Sequence, residues 1–176
     1  MPLLVRRFER QRWDHDVRND ASIPHVTADA ITDLKTKGNT LSVWYAESEA
    51  ELDNAVLAIA GTLNQIDSID VIALDMSDLK LAGLVLQEDV GATKIKGFDK
   101  RHRNIVELDY ASLGVVARVM IDRLIEYDRK KKTTRITALQ IQHMLEDAVS
   151  SSLLDWDDLP KDIRQKIRQP SSSIVR

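Results

Sequence analysis

Three carboxylates stand where strands are expected to end: Glu47, Asp75 and Asp109. In an open α/β sheet, ligands bind beyond the carboxyl ends of the strands. Carboxylates gathered there would hold Mg²⁺, a hard cation that takes oxygen ligands, and the natural use of such an ion is phosphodiester or phosphoryl chemistry. The competing role is structural. Each of the three precedes a helix or a candidate helix, where an acidic side chain caps backbone N–H groups and meets the positive end of the dipole. The chain has no Walker-type glycine loop and no G-x-G-x-x-G, so the usual phosphate cradles are missing.

Two basic clusters offer a different chemistry. Lys94, Lys96, Lys100, Arg101 and Arg103 surround Phe98 and His102, and Arg129, Lys130, Lys131, Lys132 and Arg135 follow a helix. On one face, joined by Arg6, Arg7, Arg10 and Arg12, they would track a nucleic-acid backbone even though the net charge is −3. Against this stands the ordinary preference of cations for a helix C-terminus. A helix from Thr137, read as the second helix of a helix-turn-helix, presents Gln140, Gln142 and His143 rather than a basic row.

The histidines are His15, His25, His102 and His143, and no two lie at metal-ligand spacing. His15 sits between Asp14 and Asp16 in an expected loop. No serine occupies a G-x-S-x-G elbow. The absence of cysteine removes disulfides, thiol nucleophiles and thiolate zinc sites, and it fits a reducing compartment. Trp44, Tyr45 and Trp156 remain as aromatic anchors, the residue types that dominate binding energy at interfaces. The expected function is therefore that of a non-enzymatic, cytoplasmic accessory or regulatory protein working through contact with another protein. A Mg²⁺-dependent phosphodiesterase or nuclease on Glu47, Asp75 and Asp109, and a nucleic-acid binder on the basic clusters, are the alternatives. No cofactor is otherwise expected and no membrane partner. Assembly into a homo-oligomer is open.

These residues must be positioned by the elements around them. With 43% hydrophobic and 30% charged residues in 176, the chain can build one core with a solvated surface. Its N-terminus turns to arginine after a very short apolar run, unlike a signal peptide, and no window reaches the length of a membrane span.

The clearest unit is Ser48 to Asp75. Ser48 and Glu51 have the spacing of a capping box. Leu52, Val56, Ile59, Leu63 and Ile66 recur at helical spacing behind them, with Ala55 and Ala60 on the same face. Ile69 to Asp75 reads as a strand covered on both faces, and Thr40 to Ala46 alternates as a strand should. A helix linking two strands of one sheet predicts that they pair in parallel.

Elsewhere, Leu3 to Trp13 reads as an edge strand, because arginines suit an exposed edge, and Asp14 to Ala21 as a loop. Thr27 caps a helix with Val26 and Ile31 as its staple and Gly38 as its stop. Leu79 to Leu86 fits helix or strand, Lys94 to Arg103 an exposed loop, and Asn104 to Asp109 a strand. Leu113, Val116, Ala117, Met120, Ile121 and Leu124 form one helical stripe, with Arg118 and Asp122 spaced to pair on the other side. Thr137 and Gln140 make a second capping box, closed by Ile136 and Ile141. Its core face is Ile141, Met144, Leu145, Ala148 and Val149. Asp158, Leu159 and Pro160 announce a last short helix with Ile163 and Ile167 inward, before a tail beginning at Pro170 and Ser171 to Ser173. The fold class is α/β (or α+β): a small, at least partly parallel sheet with packed helices over residues 1–110, three helices over 111–170, and a flexible tail over 171–176.

Overall fold

The computed structural model describes residues 1–18 and 26–168, so His25, residues 19–21 of the expected loop and the C-terminal tail lie outside it. One six-stranded sheet organises these residues. Its first strand, β1 (Leu3–Phe8), pairs on one side with β2 (Leu41–Ala46) and on the other with β3 (Ile69–Asp75). β5 (His102–Val106) continues the sheet beyond β2 and β4 (Val85–Glu88) ends it, while β6 (Arg135–Ile136) closes the β3 side. The order is β4-β5-β2-β1-β3-β6, and every neighbouring pair is antiparallel.

This overturns the parallel pairing. β2 and β3 do run the same way, as a single helix between them requires, but β1 lies between them. Leu3 faces Ala46 on one side and Asp75 on the other. The unit is a split βαβ, and the linking helix says nothing about what fills the gap. The edge-strand reading of Leu3–Trp13 fails with it. Leu3, Leu4 and Val5 are buried on both faces of the sheet, as a central strand demands. Arg6 is accommodated by giving its guanidinium to carbonyls: Nη1 donates to Ser42 O at 2.9 Å and Nη2 to Asp33 O at 3.4 Å.

Helices cover both faces. On one lie α1 (Asp14–Arg18), α2 (Ala28–Asp33), α4 (Met76–Leu81) and the 20-residue α5 (Tyr110–Arg129). On the other lie α3 (Leu52–Ala60), α6 (Ala138–Ser150) and α7 (Lys161–Arg168). The α5 stripe is as its spacing predicts, with Val116, Ala117, Met120, Ile121 and Leu124 all buried, and Arg118 pairs with Asp122 at 3.1 Å. Burying a large aliphatic side chain contributes about 1.5–3 kcal/mol, so this stripe is a main anchor of its layer. Ile163 of α7 is buried and Ile167 packs at the edge of the same core.

Several local expectations need correction. Asp14–Arg18 is helical, not loop. Ser48 makes no side-chain cap bond; Glu51 accepts instead from Glu47 N at 3.2 Å and pairs with Arg101, and a 3-10 turn precedes α3. α3 stops at Ala60 rather than running to Ile66. Gly61 packs there so closely that a Cβ would stand 2.5 Å from Thr93 Oγ1 and 2.7 Å from Ile95 Cγ1. Leu63 and Ile66 are still buried, so the stripe reports core contact beyond the helix itself. The ambiguous Leu79–Leu86 run is both things in turn: α4, then Gly83 at φ +80°, then β4. α2 ends at Asp33, and Gly38 (φ +60°) serves the Lys37–Thr40 turn into β2 instead. The strand expected at Asn104–Asp109 begins and ends earlier, at His102 and Val106, so the exposed loop stops before His102, and Ile95 within it is buried. The Thr27 cap holds, with its hydroxyl accepting from Ala30 N, and Thr137 and Gln140 form the capping box in full. Among the described residues, no helix is long and apolar enough to cross a membrane.

Candidate functional site

The three strand-end carboxylates do not meet. Glu47 follows β2 and Asp75 is the last residue of β3, at one end of the sheet with β1 between them. β5 runs opposite to β2, Leu41 facing Ile105, so Asp109 emerges at the other end. A six-residue strand spans roughly 17–20 Å at about 3.3 Å per residue, whereas the ligands of one cation lie within about 2.6 Å of it. Asp75 instead faces Arg123 Nη1 at 3.4 Å. Asp109 caps α5: its Oδ1 accepts from Ser112 N at 2.7 Å, and that bond holds its carboxyl below the usual range. Among the described residues no group of three or more His, Asp or Glu side chains is placed to hold a metal ion.

The basic clusters are largely tied to carboxylates. Lys96 reaches Asp155 at 2.6 Å, Arg101 reaches Glu51 at 2.6 Å, and Arg103 reaches Glu88 at 2.9 Å. Arg101 also lies over Phe98, and Arg103 over Tyr45. The Arg101 contact, with the Glu47 N–H, holds the Glu51 carboxyl below its ordinary value. In the second cluster Lys130 pairs with Glu126, Lys132 with Glu49 and Arg135 with Asp70. The clusters rise from β5 and β6, four strand spacings apart, yet both reach the turn before α3, Arg101 at Glu51 and Lys132 at Glu49. Lys94 is half-buried, and Lys100, Arg129 and Lys131 are exposed.

Of the aromatic anchors, Trp44 is buried, edge-on to His102 with ring centroids 5.1 Å apart, under Gly91. Tyr45 is half-buried and lines a hollow of about 350 Å³ with Met76, Leu86 and Arg103. Trp156 is half-buried at the margin of the core beneath α6 and α7. His15 and His143 are exposed.

Two concave regions escaped the sequence reading. The larger, about 640 Å³, is a polar cleft at the end of β1 lined by Arg7, Arg10, Arg12, Asp70 and Arg135. Its guanidinium groups are mostly engaged: Arg10 with Asp14 and Asp128, Arg12 with Glu9, Arg135 with Asp70. The second, about 560 Å³, is a groove between α3 and α6. Val56, Leu57, Ile136 and Met144 form its floor, and Asp53 and Asp147 stand exposed on its rim. Met144 belongs to the expected core face of α6, yet it is only half-buried. Leu57 lies off the α3 stripe, next to Val56. An apolar residue displaced from an otherwise clean stripe is the signal that could have found it. No known family model, curated protein or solved structure matches this chain.

Proposed function

We propose that the chain is a non-enzymatic, cytoplasmic binding protein that receives an amphipathic helical segment of another protein in the groove between α3 and α6. The observation that carries the reading is the composition of that groove: an apolar floor of Val56, Leu57, Ile136 and Met144 between two exposed carboxylates, Asp53 and Asp147. A helix laid in such a groove places apolar side chains at i, i+3, i+4 and i+7 on the floor. The acidic rim selects a helix whose flanks carry Lys or Arg. Met144 suits this role, because an unbranched thioether adapts to differently shaped partners.

The experiment places a photo-cross-linking amino acid at Gln140, on the groove, and separately at Tyr110, which is 93% exposed on the opposite layer. Both proteins are irradiated in cells of the native host. The expected result is discrete protein adducts from position 140 and none of the same mass from position 110. Replacing Asp53 and Asp147 by Lys should lower the adduct yield several-fold while circular dichroism stays unchanged. Equal adducts from the two positions, or a yield indifferent to the rim charges, would overturn the reading.

A further inference from the structure

β4 ends the sheet, and only β5 pairs with it. The register sets Glu88 opposite Arg103, and Asp89 N donates to His102 O at 3.3 Å. In an antiparallel ladder, main-chain groups turn to alternate sides residue by residue. Val85, Gln87 and Asp89 therefore face β5, and Leu86 and Glu88 present their N–H and C=O groups outward. The edge carries no proline and no lysine, the usual devices against edge-to-edge pairing. It also carries apolar side chains in water: Leu81 is 86% exposed, Val90 71% and Val85 47%.

The order of residues along this edge is what identifies its occupant. Lys80 and Leu81 stand at the head of β4, and Glu88, Asp89 and Val90 at its tail. Lys80 lines the same hollow as Leu86 and Glu88. An antiparallel two-fold pairing of β4 with itself lays the head of each copy on the tail of the other. Cation then meets anion and apolar meets apolar. We propose that this edge binds a second copy of the chain, β4 against β4, with Leu86 of each copy opposite Glu88 of the other and Gln87 on the two-fold axis. All four outward main-chain pairs are used, Lys80 meets Glu88 of the second copy, and Val90 of the second copy covers Leu81. The contact is isologous and closes on itself, so it makes a dimer rather than a fibre. It is also small, since β4 has four residues, and interfaces of this size are reversible. It lies apart from the α3/α6 groove and stands whether or not that groove binds a helix.

Sedimentation velocity of the full chain over a broad concentration range tests this. The expected result is a shift from monomer mass at low concentration to dimer mass at high concentration. Glu88→Pro removes an outward N–H that β5 does not use, an edge position where proline is tolerated, and should abolish the shift while circular dichroism is retained. Lys80→Glu and Glu88→Lys should each weaken association by about two- to fivefold, the effect of one exposed ion pair, and the double exchange should recover most of the loss. A chain that stays monomeric throughout, a dimer indifferent to Glu88→Pro, or a double exchange no better than the single ones would overturn the proposal.

Discussion

The two faces of the sheet are finished differently. Beneath the middle of α5 the layer is sealed. Val116, Ala117, Met120 and Leu124 are fully buried, and the polar groups there are matched. Asp33 is the centre of that matching: its Oδ2 accepts from Trp13 Nε1 at 2.7 Å and from Glu9 N at 3.0 Å. It also stands by Arg6, whose guanidinium is pushed down to about 10 by burial and pulled back by the Asp33 charge. Arg6 Nε nevertheless finds no partner, a residual cost of threading an arginine through a central strand. Beneath α3 and α6 the layer closes around Ile141, Leu145 and Ile59 but leaves Leu57, Ile136 and Met144 half-covered. The centre beneath α5 is sealed and its face opens only towards β4, at the hollow of Tyr45, Met76 and Leu86, whereas the other face carries the groove between α3 and α6. The proposed binding site rests on that difference rather than on any cluster of titratable groups.

The contrast can be broken with two methionines. Met120 is fully buried in the sealed layer, and Met144 is half-buried on the groove. Met120→Ala should cost about 2–5 kcal/mol, because it removes buried methylenes and leaves a cavity that cannot collapse. Met144→Ala should cost less than about 1 kcal/mol, because water already reaches it. Urea unfolding gives both values, with an unchanged slope expected for each. Equal losses would mean that the groove is as tightly packed as the sealed face.

A smaller difference separates two helix starts that look alike in sequence. Thr137→Ala should cost about 1 kcal/mol, since its hydroxyl accepts from Gln140 N at 3.2 Å at the head of α6. Ser48→Ala should stay within about 0.5 kcal/mol, because Ser48 makes no cap bond. Thermal midpoints of the two variants decide it, and a Ser48→Ala loss matching that of Thr137→Ala would place a cap where the geometry has none.

These two caps show what the sequence could carry. Stripe and strand signals depend on which side chains face a core, and they held: the α5 stripe, the buried Ile69–Asp75 strand, and α6 with its box. Even Leu63 and Ile66, which lie beyond the end of α3, are core as their spacing predicts. What failed depended on neighbours remote in the chain. Ser48 and Glu51 have capping-box spacing, but Arg101, fifty residues away, takes the glutamate. β2 and β3 have the pattern of a parallel pair, but β1 fills the space between them. The arginines of β1 suggested an edge because nothing local announces that Ser42 and Asp33 will offer carbonyls to Arg6. The carboxylate trio rested on strand direction, which the insertion of β1 and the antiparallel β5 rearranged. The groove was legible only as a misfit, Leu57 beside its stripe and Met144 on it, because a hollow is a property of two surfaces and a sequence shows one at a time.

His102 offers the finest test of the groove-side layer. It is buried edge-on to Trp44, its Nδ1 has no hydrogen-bond partner, and Gly91 packs against the Trp44 ring and the His102 Cβ. Burial lowers its pKa below the ordinary 6.5; Asp89 opposes that shift and Arg103 assists it. The folded protein therefore refuses a proton that the unfolded chain accepts. With more protons bound when unfolded, stability rises with pH, so this contribution is complete above about pH 6.5 and is lost as the pH falls towards the folded value. Glu51 and Asp109, held below the ordinary carboxylate range, act in the same direction but only at more acid pH. Just below about pH 6.5 the slope belongs to the imidazole. Replacing His102 by Leu should flatten the dependence of the urea midpoint on pH in that window and leave the more acid limb in place. An unchanged slope would mean that the Trp44–His102 contact admits water and a proton as readily as the unfolded chain does, and that this layer is open beneath its loop as well as along its groove.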